Sequence, residues 1–273
     1  MNQSLGFCAC RAQKPNQDIF TNNVNTHKVF STKAEKYARY RWSYAPDAVE
    51  AFCRAAGLGI HSSAADLGAG TGILTRQLAG CVGRIYGVEP NPEMRREAQK
   101  YLADQANCTL LAASAESTGL ETGSVDAITV AEAAHWFDFV PARAEMLRIL
   151  KPGGWLGLFH NASLDHERDE AVRALRSPDY GVTPAAFPQP GTPWEHFFNG
   201  GPCQTLTFPF QIREQYDGFL GALLSTSFMP NEDHPLFPAF EKAAREIFER
   251  FSQDGWMDVH GVTELMLGVP LHS

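Results

Sequence analysis

The chain has 273 residues, 44% hydrophobic and 20% charged, with a formal net charge of -8; this is one large domain or two small ones, with ample material for a core. An acid excess gains nothing from counterion release, so DNA or RNA is a poor partner, and no run approaches the ~18 apolar residues of a membrane helix. The six cysteines form no CxxC pair and no zinc spacing with histidine, which argues against a metal site or a three-cysteine iron–sulfur cluster and predicts free thiols in a reducing compartment.

Residues 1–26 are rich in Asn, Gln and Thr and read as a mobile tail. They lack a basic start followed by an apolar run, so a cytoplasmic location is expected. From Val29 the pattern becomes helical, in two pieces broken at Ala45-Pro46, with Pro46 opening the second and Gly57 ending it. Strands are then predicted at 63–67, 84–88, 109–113, 125–130 and 155–160. Helices are predicted between them at 72–80, at 92–103 behind the cap Asn91, and at 141–150, the last stopped by Lys151-Pro152-Gly153-Gly154. Beyond 160 come a proline-rich stretch with one helix near 167–175, a strand at 204–210, helices at 216–224 and 238–251, and a strand at 259–267.

Strands alternating with helices imply an α/β fold, a doubly wound, mostly parallel Rossmann-like sheet with helices on both faces. Seven strands are expected, with a helical cap inserted in the C-terminal third. The implied organisation is one domain over 27–273: a ligand-binding core at about 60–160, a cap at about 161–256 and a closing strand at about 257–268.

The strongest chemical signal is Asp66-Leu67-Gly68-Ala69-Gly70-Thr71-Gly72, where a strand ends and a helix begins. Glycines let the chain turn tightly and let a ligand approach the backbone, and the helix amides face an electron-rich group. The spacing is GxGxG rather than GxGxxG, and Asp66 precedes the first glycine by two. A carboxylate there crowds a pyrophosphate but suits a cation. Glu89 ends the second strand, 21 positions after Gly68, the acidic position expected to accept hydrogen bonds from ribose hydroxyls. Pro90 follows it, and Met94, a helical turn on, suits either an adenine face or the core.

Taken in order, DLGAGTG, GVEPNPEM, ASAESTGLETGSVDAITVAEAAHWFD and LRILKPGGWL resemble class I S-adenosylmethionine-dependent methyltransferases over about residues 30–160. A narrower likeness is to the type 11 group that includes trans-aconitate methyltransferases, echoed by Tyr37, Arg41, Tyr44 and Pro46 and by His135-Trp136-Phe137. The resemblance implies S-adenosylmethionine as cofactor, S-adenosylhomocysteine as product and a small-molecule acceptor, with a carboxylate or hydroxyl oxygen favoured. It implies that the backbone from Gly68 through Ala69 and Gly70 to Thr71 holds the methionine moiety. Asp66 would act near the α-amino group through water, and Ala131 would offer that group a carbonyl. Glu89 would hold the ribose, and Ala115 and Glu116 the adenine. Tyr37 and Arg41 would cover the cofactor, Arg41 pairing with its carboxylate or else forming a surface ion pair.

His135 follows the fourth strand and is either the general base or a structural residue; His160 has a weaker claim. Trp42, Tyr44, Trp136, Phe137 and Phe228 are candidates for an aromatic acceptor pocket. A base amino-methyltransferase carries Asn/Asp-Pro-Pro-aromatic after the fourth strand; Ala131-Glu132-Ala133-Ala134 stands there instead. Competing readings are a nicotinamide-dinucleotide oxidoreductase and a non-catalytic cofactor-binding module. No metal is expected, and the oligomeric state is open.

Overall fold

The structure is a computed structural model that describes residues 33–182 and 192–271. The N-terminal stretch expected to be mobile lies outside the described residues. Helix α1 (Ala34–Tyr40) leads through an extended segment to α2 (Pro46–Ala55), in which proline occupies the first turn. Alternation then begins: β1 (Ser63–Leu67), α3 (Ile73–Ala79), β2 (Arg84–Val88), α4 (Pro92–Tyr101) and β3 (Cys108–Leu111). There follow β4 (Val125–Ala131), a 3-10 turn (Ala134–Trp136), α5 (Phe139–Ile149) and β5 (Leu150–Ser163). The chain continues through α6 (His166–Ala174), β6 (Cys203–Glu214), α7 (Tyr216–Ser225) and α8 (Phe237–Phe251) to β7 (Met257–Gly268).

The seven strands form one sheet in the order β3-β2-β1-β4-β5-β7-β6. The first five run parallel, and β7 lies antiparallel between β5 and β6. Central strands covered on both faces need not alternate, and β1 and β4 are almost wholly buried, whereas the edge strand β6 alternates between half-buried and exposed. Helices α2 and α3 close one face around Phe52, Leu74, Leu78 and Phe159. Helix α5 and a 3-10 segment (Trp194–Phe198) close the other around Met146, Ile149, Leu158 and Phe197. A third cluster, built on Phe219, Leu224, Phe240 and Phe248, joins α7 and α8 to Met257 and Val259 of β7.

Three strand limits depart from expectation. β3 begins and ends earlier, because Ser114 and Ser117 bridge each other and turn the chain out of the sheet. β5 starts at Leu150, straight from α5, and runs to Ser163. Leu150 pairs with Val125 and register resumes at Ala127 with Trp155, so Lys151–Gly154 is an irregularity inside the strand, with Gly153 at φ +77°, rather than a separate stop. Both β5 beyond His160 and β6 beyond Phe210 are lengthened by their ladders to β7.

Candidate functional site

The order of strands reverses between β1 and β4: the chain proceeds outward from β1 to β3 on one side, then crosses back to β4 on the other. Open sheets bind ligands at such a switch point, beyond the carboxyl ends of the strands. A cavity of about 250 Å³ lies there.

The turn after β1 forms one wall. Gly68 and Gly70 adopt φ +70° and +57°, and the amides of Gly68 and Ala69 donate to the Val88 carbonyl. A Cβ on Gly68 would stand 2.5 Å from the Ala133 Cβ and 3.3 Å from the Phe137 ring, so only glycine lets this turn lie against the end of β4. Behind the turn, Asp66 is 1% exposed and accepts hydrogen bonds from the hydroxyls of Thr75 (2.6 Å) and Thr129 (2.9 Å). Burial, against the pull of those hydroxyls, pushes its carboxyl up to about 6.

Glu89, at the end of β2, faces the cavity, with Oε2 accepting from the Gly70 amide (2.9 Å) and Oε1 from the Asn91 amide (2.8 Å). The acid thus fixes the glycine turn to the start of α4, where the Asn91 side chain caps the amides of Glu93 and Met94. Pro90, Asn91 and Met94 continue this wall. Ser114, Ala115 and Glu116 add to it from beyond β3, and Glu116 Oε1 accepts from the Asp138 amide at 2.9 Å.

The floor comes from the end of β4: Ala131, Glu132, Ala133, His135, Trp136 and Phe137. Glu132 stands at φ +52°, a region that residues with a side chain seldom occupy. Its Oε1 accepts from His160 Nδ1 (2.9 Å) and from the Asn161 amide (2.7 Å). Burial raises the Glu132 carboxyl, but the bond and charge of His160 outweigh it and the net shift is downward. His160 is correspondingly raised, chiefly by its bond to Glu132. The His135 imidazole is lowered by burial, with the Glu132 charge acting the other way.

The roof is made of two segments distant in sequence. α1 contributes Tyr37 and Arg41, whose guanidinium lies 4.9 Å from the Tyr37 ring centre. The chain after α7 contributes Thr226, Ser227 and Phe228. Lys33, 3% exposed, ties them together, its Nζ donating to the carbonyls of Thr226 and Met229 at 2.6 Å each.

The cavity therefore gathers, of the residues singled out in the sequence, Tyr37, Arg41, Gly68, Gly70, Glu89, Pro90, Met94, Ala115, Glu116, Ala131, His135, Trp136, Phe137 and Phe228. Asp66, Ala69 and Thr71 are buried behind its wall, because the turn presents backbone rather than these side chains to the opening. Two aromatic candidates do not reach it. Trp42 packs edge-on against Phe210 (5.9 Å), and Tyr44 packs against Phe159 (5.8 Å) with its backbone held by Gln77. Sequence reasoning did not place Asn91, Ser114, Glu132, Ala133, Thr226 or Ser227 in the wall. Glu132 and Ala133 sat beside marked positions, whereas nothing in Thr226-Ser227 distinguished them from any loop.

The donor set fits S-adenosylmethionine: a glycine backbone cradle that a Cβ at Gly68 would fill, a carboxylate at Glu89, a guanidinium at Arg41 and apolar flanks at Met94 and Phe137. No helix among the described residues is long and apolar enough to cross a membrane, and no group of acids, cysteines and histidines among them is arranged to hold a metal.

Residues 65–158 match the methyltransferase domain family. An uncharacterized methyltransferase of Mycobacterium tuberculosis is 39% identical over 149 residues, 54% of this chain and 56% of the relative. A methyltransferase-like protein of Schizosaccharomyces pombe is 39% identical over 108 residues, 39% of each chain. The aligned part thus spans about half the length, or less, of these curated relatives. Among solved structures, one described as a type II methyltransferase, from Anaeromyxobacter dehalogenans, superposes with a TM-score of 0.60 at 22% identity, covering 86% of this chain and all of that one. The YcgJ protein of Bacillus subtilis gives 0.55 at 21% identity, covering 83% and 99%. At such identities the shared feature is the fold. The glycine turn, the acid after β2 and the switch-point cavity all draw on the segment, residues 65–158, that matches the methyltransferase domain family.

Proposed function

We propose that the chain transfers a methyl group from S-adenosylmethionine to a small molecule, with an oxygen acceptor favoured over the amino group of a nucleic-acid base. The observation that carries this reading is a single cavity bringing the Gly68–Gly70 backbone, Glu89 and His135 together at the strand switch point. When bound, S-adenosylmethionine supplies a sulfonium-activated methyl group, so the protein's task is to position, to exclude water and to handle one proton.

In this reading the amides and carbonyls at Gly68, Ala69, Gly70 and Ala131 hold the methionine moiety. Arg41 pairs with its carboxylate. Asp66 acts on the turn from behind, by fixing β1 to β4 and α3 through Thr129 and Thr75. Glu89 holds the ribose hydroxyls with its carboxylate. Ala115, Glu116, Pro90 and Met94 surround the purine. Trp136, Phe137 and Phe228 take the acceptor's apolar body. His135, kept neutral near pH 7 by burial, is able to receive the proton of a hydroxyl acceptor. Methyl transfer then falls away on the acid side as His135 protonates, at a pH below the ordinary histidine value. The elements between β5 and β7 serve as the cap that selects the acceptor.

The test is calorimetric titration of S-adenosylmethionine and S-adenosylhomocysteine into wild type and Glu89→Gln. Binding of both by wild type, with the variant weakened by about 1.5–3 kcal/mol, the scale of a hydrogen bond to a charged group, supports the reading. Absence of binding to wild type, or tighter binding of a nicotinamide dinucleotide, overturns it.

A further inference from the structure

Glu132 has no part in the roles just given, yet it lines the cavity floor between Ala131 and His135. Both of its hydrogen bonds fall on one oxygen, Oε1, which receives His160 Nδ1 and the Asn161 amide. No donor among the described residues reaches Oε2. The residue is also held at φ +52°, and strained backbone of this kind persists where surrounding structure imposes it, often at ligand sites. Asn161 supplies that surrounding structure: it accepts from the Thr263 hydroxyl at 2.6 Å and donates to the Ser43 carbonyl at 3.2 Å, locking the end of β5 to β7 and to the chain after α1.

The charges around the cavity bear on the same point. Among the described residues its wall carries the acids Glu89, Glu116 and Glu132 and one fixed cation, Arg41. Glu116 is engaged with the Asp138 amide. Arg41 and Glu89 are assigned above to the cofactor. What remains at the acceptor end is a carboxylate oxygen beside the neutral imidazole of His135, bordered by Trp136 and Phe137.

We propose that Glu132 is the specificity residue of the acceptor end: Oε2 accepts a hydrogen bond from an O–H or N–H of the acceptor. The site then takes hydroxyl- or amine-bearing molecules with an apolar body and rejects those whose only polar group is a carboxylate. An alcohol or amine has the proton that Oε2 lacks, whereas a carboxylate meets like charge at Oε2, and Arg41, the fixed cation of the wall, is assigned to the cofactor. His160 acts through Glu132 as a positioning residue, holding Oε1 so that Oε2 points away from it. This inference rests on the cofactor reading above and narrows its acceptor to one with a donor.

The experiment first measures S-adenosylhomocysteine affinity for wild type and Glu132→Gln. It then titrates benzyl alcohol, benzylamine and benzoate into each S-adenosylhomocysteine-loaded protein, following the His135 ring signals by NMR. The expected result is a change in S-adenosylhomocysteine affinity within threefold. Wild type should prefer the alcohol or the amine over benzoate by at least tenfold, and Glu132→Gln should reduce that preference below threefold. A loss of S-adenosylhomocysteine affinity beyond threefold in the variant overturns the proposal, because Glu132 then serves the cofactor. A wild-type preference below tenfold, no saturable binding of any probe, or a preference that survives the substitution overturns it as well. Should Glu132→Gln fail to fold, the wild-type preference alone decides, with Glu132→Asp as the second variant. Failure of wild type to bind S-adenosylhomocysteine is a separate result and removes the cofactor reading on which the proposal stands.

Discussion

Burial leaves the Asp66 carboxyl with two threonine hydroxyls in place of water, and the exchange is unequal. Its pKa rises from 3.8 to about 6 on folding, so between those values the native state holds the proton that the unfolded chain has lost. Stability therefore declines as pH rises through this window, by about 3 kcal/mol for a shift of roughly two units. Replacing Asp66 with Asn removes the titration. The stability difference between variant and wild type, measured by urea unfolding, should move in favour of Asp66→Asn by that amount from pH 4 to pH 7. Gly68 makes the opposite case, of a residue that tolerates no addition. Gly68→Ala combines φ +70° with a 2.5 Å approach to Ala133 and should cost about 1–3 kcal/mol and abolish S-adenosylhomocysteine binding by calorimetry. At this scale the glycine turn, Glu89 and His135 were legible because each stands at a fixed offset from a strand end. Trp42 and Tyr44 were not separable from Trp136 and Phe137: an aromatic ring suits a core and a pocket alike, and only the fold says which it meets.

Helix α1 behaves as a strap fastened at both ends. The Lys33 amine holds its start to the Thr226–Met229 turn. Beyond its end, Gln77 grips the Tyr44 backbone and Thr263 accepts from the Ala45 amide at 2.9 Å. The second fastening is shared among several groups, whereas the first rests on the buried Lys33 amine with the more exposed Lys36–Glu232 ion pair (2.6 Å) beside it. Lys33→Met removes a buried charge along with its two bonds, so global stability should change by only about 1 kcal/mol. Amide exchange across residues 34–40 should nevertheless quicken, and S-adenosylhomocysteine affinity should fall several-fold, since Tyr37 and Arg41 ride on this helix. Unchanged exchange there would show that packing of Tyr40 against Gly221 suffices to hold the strap. Helix limits followed closely from proline and cap residues, as at Pro46 and Asn91. The limits of β5 and β6 did not, because their added length comes from pairing with β7, a partner distant in sequence that no local pattern reveals.

Across the whole molecule, the cavity is walled by both halves of the chain: β1, β2 and β4 with their loops on one side, α1 and the Thr226–Phe228 segment on the other. A ligand seated there bears on both. At a hundredfold excess over its Kd, S-adenosylhomocysteine should add about 2.7 kcal/mol to stability, a rise of roughly 5–10 °C in Tm for a chain of this size. Hydrogen-exchange protection should rise at residues 34–41 and 226–228 together with the Gly68 turn; protection confined to the turn would mean that the roof does not close on the ligand. The doubly wound architecture was legible from the alternation of strands and helices alone, and the position of the cavity follows from strand order. The acceptor end was not, since its roof and floor join segments whose spacing in sequence carries no pattern.

The placement of β7 has a consequence for how the protein is made. Its twelve residues occupy the seam between β5 and β6, yet among the seven strands they are the last that a ribosome delivers. Until they emerge, β5 and β6 cannot meet, and each presents an unsatisfied row of amides and carbonyls to the cell. A nascent chain paused before residue 257 should accordingly draw chaperones or stick to its neighbours, and the emergence of β7 should be the moment at which the sheet zips shut. A message variant that slows translation over 203–256 should lower the soluble yield without altering a single side chain.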